Sequence, residues 1–468
     1  MFTLICSNCG TQYSFATSKF QCKKCGARLE VSLSDSDKLL EAITNLRGKS
    51  IKLWAFVSLF PYINPKKIVT LGEGGTPLVK ATGLSERYKL NLLIKDETKN
   101  PTNSFRDRAA SVAISHSLTL GIKNVICATN GNMGASTAAY ASKAKINSTI
   151  IVPRNVDLGK LAQISAFGGR VITVGETVDD AIEYAKKLEK KNVYPLTPEL
   201  NPITIEGQKT IMYEIFLQGE IPDFIVLPVG SGSTLYSLWK GLQELNDAGL
   251  IDTYPTLIGV QSELCAPIYW KLEGKSPQFE ECNTKALGIL VKNPYFVDES
   301  IVAVKKTNGT ITIVSDNDIN EAERLTAKEE GLFVEPASAA VVAALPHLID
   351  QGILDKSDSV VLLFTGSGLK ASYILDTLLS TEHIPFLRPR VSTKIKILRF
   401  LSLAPSYGYE IWKSVLPNFK FQAIYQHLSE LEARGLITSE KKGRRKYYKI
   451  TKKGLRLLDA IEEIALLL

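Results

Sequence analysis

The chain lacks any run of about 18 consecutive apolar residues, the length a membrane-crossing helix needs. It also lacks the charged-then-apolar opening of a secretory leader, so a soluble, cytoplasmic protein with no membrane partner is expected. Cysteine is sparse and odd in number, seven in 468 residues, which argues against a secreted disulfide framework. Histidine is scarcer still: His116, His347, His383 and His427 are scattered, and none suggests a ligand set. Net charge is missing from most of the chain, since the first 390 residues hold 41 basic and 41 acidic side chains. Residues 391–468 hold 15 against 7, so the whole excess of +8 lies in the last sixth. That asymmetry points to an attached module with an anionic partner. With 45% hydrophobic residues, the chain can bury the cores of two or three domains.

Four of the cysteines are concentrated at the start. Cys6-x-x-Cys9 and Cys22-x-x-Cys25 are separated by twelve residues, each pair followed by a glycine, Gly10 and Gly26. Two such knuckles can bring four thiolates into a tetrahedron around a structural zinc ion. The alternative is a vestigial knuckle of reduced thiols. With four cysteines the set is closed, leaving no open position for metal catalysis. Cys127, Cys265 and Cys282 stand alone and are expected to be small buried residues.

From residue 31 to 385, apolar β-branched runs alternate with stretches of helical period. Residues 125–128, 148–152, 170–174, 224–228, 256–260 and 360–365 read as buried strands. Residues 179–190, 202–219 and 315–330 read as helices between them. The alternation predicts an α/β fold of parallel sheets covered by helices, with ligand sites at the carboxyl ends of strands. Glycine-rich turns fall at such ends: Leu71-Gly-Glu-Gly-Gly-Thr-Pro-Leu78, Thr129-Asn-Gly-Asn-Met-Gly-Ala-Ser136, Pro228-Val-Gly-Ser-Gly-Ser-Thr234 and Thr365-Gly-Ser-Gly-Leu-Lys370. A strand, glycine loop and helix in that order can cradle a phosphate.

Together with Asn100-Pro-Thr-Asn-Ser-Phe-Arg-Asp-Arg108, Leu158-Gly-Lys-Leu-Ala-Gln163, Glu206-Gly-Gln-Lys209 and Glu329–Ser338, these motifs resemble the threonine synthase family. Those are pyridoxal-phosphate (PLP) enzymes of the two-lobed, tryptophan synthase β-like fold type II, and some begin with a cysteine ribbon. The likeness covers nearly all of residues 1–375. It implies that Asn132 lies beside the cofactor ring hydroxyl and that Gly230, Ser231, Gly232, Ser233 and Thr234 hold its phosphate. Thr365 would face the pyridine nitrogen. It also implies a Schiff-base lysine at the position of Arg106. A guanidinium stays protonated and is a very poor nucleophile, so a competent reaction centre is not expected there. Other departures are Asn103 for a glycine, Met133 for a threonine that grips substrate carboxylate, and Ser367 and Ala371 for histidine and aspartate. Arg106 could instead be a buried salt-bridge arginine in an empty cleft. Replacement of the missing amine by Lys95 or Lys99 is not expected, since neither spacing places an ε-amine where the loop's own side chain would point. An arginine in such a cleft suits an anionic or amino-acid metabolite, or non-covalent PLP.

Past residues 385–389 the pattern changes. A helix over 393–403, a second opening at Tyr407, a third over 421–434 and a hairpin turning at Gly443 describe a winged helix, with a last helix running to residue 468. Gln422, Tyr425 and Gln426 would face a DNA groove, and Lys441, Lys442, Arg444, Arg445 and Lys446 would neutralise phosphates. This stretch resembles PadR-type regulators, which implies a homodimer through the last helix. A solvated hairpin on a protein-interaction module is the alternative. The expected domains are a ribbon (1–30), an α/β domain (31–385) and a DNA-binding module (391–468). Three functions remain. One is a transcriptional regulator of amino-acid metabolism whose sensor is catalytically silent. The second is a working PLP-dependent lyase that makes threonine and phosphate from O-phosphohomoserine, or performs a related β/γ-replacement. The third is a regulatory partner that pairs with an active paralogue and contributes no chemistry.

Overall fold

A computed structural model describes residues 2–33, 36–49, 51–188, 192–276, 282–372, 390–415, 421–442 and 445–458. The chain divides into two compact units, Met1–Ser372 and Tyr373–Leu468.

The first unit opens with an antiparallel three-stranded ribbon, Gln12–Tyr13, Phe2–Cys6 and Leu29–Leu33 in that spatial order. Alternate residues of its outer strand, Leu29 and Val31, are buried, as period-two patterning requires. A four-stranded parallel sheet runs Arg170–Thr173, Asn147–Val152, Asn124–Ala128 and Tyr194–Pro195. A six-stranded sheet runs Thr310–Val314, Thr256–Ser262, Phe224–Pro228, Ser359–Phe364, Asn91–Asp96 and Leu78–Lys80. Its first five strands are parallel, while Leu78–Lys80 pairs antiparallel at the edge. The central strands are apolar throughout because helices cover both faces.

One expectation about this unit needs correction. Cys265 and Cys282 are not isolated thiols: they are joined as a disulfide, with their Cα atoms 4.7 Å apart. Cys127 is a buried thiol, and burial pushes its pKa up to about 12. Lys95 offers no replacement amine, because it is fully buried with its ammonium 2.8 Å from Glu214. That glutamate also binds Arg108, which pairs with Glu97, so the buried charges neutralise one another. Lys99 is half-exposed beside Asp96.

In the second unit, helices Arg390–Leu403, Gly408–Val415 and Phe421–Ala433 precede an antiparallel hairpin, Ile437–Lys442 with Arg445–Ile450. Tyr407 does not open the second helix. With Ser406 it forms a third strand beside Arg445–Ile450, and its ring meets Tyr447 edge-on at 5.7 Å. Gly435, at φ +68°, ends the third helix in the left-handed region that favours glycine. The last predicted helix is described as helical over 452–458, and its remainder lies outside the described residues, as do the hairpin tip at Gly443 and the Pro385–Pro389 boundary.

His116 fastens the ribbon to the α/β body: its ring nitrogens lie 2.7 Å from the Tyr194 hydroxyl and 3.0 Å from the Phe15 carbonyl. Burial lowers its pKa from 6.5 to about 4. A base whose folded pKa is depressed stabilises the fold above its unfolded pKa and loses that contribution as pH falls through the folded one. The destabilisation caused by His116→Asn, measured by urea unfolding, is therefore expected to shrink by about 3 kcal/mol between pH 7 and pH 4.

Candidate functional site

The carboxyl ends of both parallel sheets face one cleft. Strand Phe224–Pro228 runs into Val229–Gly232, and helix Ser233–Asp247 starts there. Its first N–H groups have no acceptor within the helix and point at the loop. Gly232 has φ +87°, and a Cβ there would lie 2.4 Å from Ser300 Oγ and 2.8 Å from the Phe296 carbonyl. Ser231 Oγ donates to Ser233 Oγ at 3.2 Å.

Across the cleft, Arg106 begins helix Arg106–Thr119. The preceding loop is zipped to the last strand's end: Phe105 N–H donates to the Thr365 carbonyl at 3.0 Å, and Ser104 bridges Gly366. Asn103 adopts φ +59°, a conformation asparagine tolerates where glycine is usual. The Arg106 guanidinium stacks on Phe105 at 4.5 Å and donates to Gln208 Oε1 at 3.1 Å. Burial lowers its pKa, opposed by Glu199, yet an arginine so shifted remains a cation at neutral pH.

Asn132 opens helix Asn132–Ala144 and donates to Glu335 Oε2 at 2.7 Å, while its Oδ1 is buried without a partner. Ser338 Oγ accepts the backbone N–H groups of Thr365 and Gly366, fixing Thr365 at the cleft wall. All eight predicted cleft residues, Arg106, Asn132, Gly230, Ser231, Gly232, Ser233, Thr234 and Thr365, line one cavity together with buried Met133. About 910 Å³ of non-atom space lies within and in front of it, a figure that includes open solvent at its mouth.

Two lysines, Lys160 in the cleft lining and Lys370 beside Glu335, were not singled out from the sequence. The Lys160 stem crosses Gly131, where φ is +122° and a Cβ would lie 2.4 Å from Lys160 Cδ. Its ammonium stands 3.2 Å from Glu335 Oε1. Lys370 approaches the same carboxylate at 3.9 Å and donates to the Asn103 carbonyl at 3.0 Å. Burial lowers the Lys370 pKa to about 8 against the pull of Glu335. Both lysines lie inside motifs already noted, but only the glycine at position 131 lets Lys160 reach the cleft.

The four ribbon sulfurs, Cys6, Cys9, Cys22 and Cys25, lie within 4.8 Å of one another. Separations of 3.4 to 3.7 Å among them suit a tetrahedral ion. In the second unit, Tyr425, Gln426, Lys441 and Lys446 are exposed, and Lys446 pairs with Glu432 at 3.0 Å. Gln422, Lys442 and Arg445 are placed by backbone only, and Arg444 lies outside the described residues.

The cleft fits part of a pyridoxal phosphate. The glycine cradle and the orphaned Asn132 Oδ1 suit its phosphate and a ring donor, while Arg106 offers no attacking amine. Gly232→Ala is expected to lower stability by about 1–3 kcal/mol in denaturant unfolding, because the new methyl group meets backbone and must adopt positive φ.

Residues 69–366 match the family of pyridoxal-phosphate-dependent enzymes, and residues 397–460 match the PadR-like family of transcriptional regulators. The threonine synthase of Methanocaldococcus jannaschii is 35% identical over 374 residues, covering 78% of this chain and 92% of that protein. That of Mycobacterium bovis is 37% identical over 339 residues, covering 72% and 91%. Among solved structures, a serine ammonia-lyase from Rhizomucor miehei has a TM-score of 0.55 at 24% identity, covering 63% of this chain and 93% of the other. Maize serine racemase has 0.56 at 19%, covering 74% and 98%. These two show the fold alone. With the fold type II cleft, the identities and a PadR-like module on the same chain, the protein belongs to the threonine synthase family of pyridoxal-phosphate-dependent enzymes.

Proposed function

We propose that this chain is a DNA-binding regulator of amino-acid metabolism whose sensor is a threonine-synthase-like domain without catalysis. The observation that carries this is Arg106: the cleft retains its phosphate cradle but presents a guanidinium where the family resemblance implies an amine. The ligand would be PLP held without a covalent bond, or an anionic amino-acid metabolite whose charge the Arg106 fork can meet. When bound, PLP supplies an aldehyde and an electron-withdrawing ring. Around it the cradle's N–H groups would bind phosphate, Thr365 would face the ring nitrogen, and Arg106 would orient an anion.

A physical route from the cleft to the end of the first unit supports the reading. Asp157 caps the helix carrying Lys160, accepting its N–H at 3.1 Å, and also accepts the Ser372 hydroxyl at 2.6 Å and N–H at 3.1 Å. Ser372 is the last residue of the first unit. Ligand contacts that move Lys160 or Glu335 would therefore reach Ser372, where the first unit ends. That module would place Gln422, Tyr425 and Gln426 on a DNA groove, with Lys441, Lys442, Arg444, Arg445 and Lys446 on phosphates. It would act as a homodimer in the cytoplasm, with one structural zinc in the Cys6, Cys9, Cys22 and Cys25 site.

The second reading is a threonine synthase in which another amine serves. Lys160 favours it, since its ammonium lines the cleft, as does the depressed pKa of nearby Lys370. A PLP titration followed by absorbance separates the two. The sensor reading predicts the spectrum of unlinked cofactor and no phosphate release from O-phosphohomoserine; turnover would overturn it. Arg106→Lys is expected to gain the spectrum of linked cofactor with little turnover, because Met133 still replaces the carboxylate grip. Gel shifts on the chain's own upstream DNA should vanish without residues 391–468. Lys446→Ala should weaken binding across sequences and reduce the salt slope by about 1.

A further inference from the structure

The ribbon's role is unassigned by anything above: its four thiols make a closed set that takes no part in the cleft. One side chain leaves it in the direction of the cradle. Arg28 lies three residues after Cys25, just past the second knuckle. Its carbonyl accepts the Ser7 N–H at 3.2 Å, and the preceding Ala27 carbonyl accepts the Cys22 N–H at 2.7 Å. The Arg28 backbone is thus set by the geometry of the cysteine site.

Its guanidinium crosses to the α/β body. It lies 4.3 Å from the Phe296 ring and 5.6 Å from the Tyr236 ring, which are themselves stacked at 5.4 Å. It pairs with Glu299 and donates to the Tyr295 carbonyl at 3.4 Å, while Glu30 at 3.1 Å holds it from the ribbon side. Phe296 and Tyr236 each touch the cradle. The Phe296 N–H donates to the Ser231 carbonyl at 3.0 Å, and the Tyr236 N–H donates to the Gly232 carbonyl at 2.9 Å. The Phe296 carbonyl also stands where a Cβ on Gly232 would fall, at 2.8 Å.

We propose that Arg28 is a positioning residue for the phosphate cradle: reaching from the cysteine ribbon, it fixes Phe296 and Tyr236 and thereby the backbone of Ser231 and Gly232. A guanidinium suits the task because one planar group can stack on an aromatic face while its edges bind a carboxylate and a carbonyl. A cradle built of backbone N–H groups has no side chain to adjust, so its anion affinity depends on the loop being held before the ligand arrives. The ribbon is then part of the ligand site without touching the ligand, and an intact cysteine site is required for full affinity. This rests on the reading that residues 230–234 bind phosphate.

The test uses the full-length, zinc-loaded chain titrated with pyridoxal phosphate, read by absorbance and by competition with inorganic phosphate. Arg28→Ala is expected to weaken binding roughly tenfold or more. Arg28→Lys should recover part of that loss, since it keeps the charge opposite Glu299 but not the planar stack. Stripping zinc with a chelator should weaken the wild type and have little further effect on Arg28→Ala, since both act through one contact. If Arg28→Ala does not fold, Glu299→Gln and Arg28→Lys decide by the same titration. Equal affinity in a folded Arg28→Ala chain, or in both substitutes, would refute the inference and make Arg28 a mere fastening of the ribbon. A wild type that binds neither probe would instead remove the phosphate reading on which it rests.

Discussion

Backbone hydrogen bonds between the loop at residues 103–105 and the segment 365–367 hold the two walls of the cleft in register. Phe105 N–H meets the Thr365 carbonyl, and Ser367 N–H meets the Asn103 carbonyl. Ser338 Oγ then pins Thr365 and Gly366 from behind. Because the ladder uses main-chain groups, it tolerates change in the side chains it presents. The position that faces the cavity can therefore carry arginine without disturbing the fold, and scaffold and side-chain chemistry are separable there.

The charges around the cleft follow the same logic. Lys160 and Lys370 converge on Glu335 and, against the opposing effect of burial, lower its pKa. Asn132 spends its amide on that carboxylate and leaves its oxygen unpaired. An unpaired buried acceptor costs about 1–3 kcal/mol, and a donor on a bound ligand would recover it. Arg106 adds a cation across the cleft from the cradle.

Much of this was legible in the sequence because buried parallel strands read as continuous β-branched runs and their glycine turns fall at the carboxyl ends. The segment 224–228 is a strand with those bounds, and the loop after it forms the cradle. Side-chain reach was not legible. Lys160 enters the cleft only because residue 131 has no Cβ, and Arg28 reaches Phe296 only because two knuckles aim it. Nor does any spacing rule pair Cys265 with Cys282 across seventeen residues, when an odd cysteine count leaves the partner undetermined. Asn103 reads as a departure from glycine, and its backbone lies in the left-handed region that glycine and asparagine both tolerate.

On the proposed function, no amine in the cleft serves in place of the missing one. The direct measurement is intact-mass and peptide-mapping spectrometry of the full-length chain after incubation with pyridoxal phosphate and reduction with borohydride. The account predicts an unmodified mass for the wild type and a single adduct at the introduced lysine of Arg106→Lys. A stoichiometric adduct on the wild type, at Lys160, Lys370 or any other residue, would contradict it and return the protein to the working enzymes of its family.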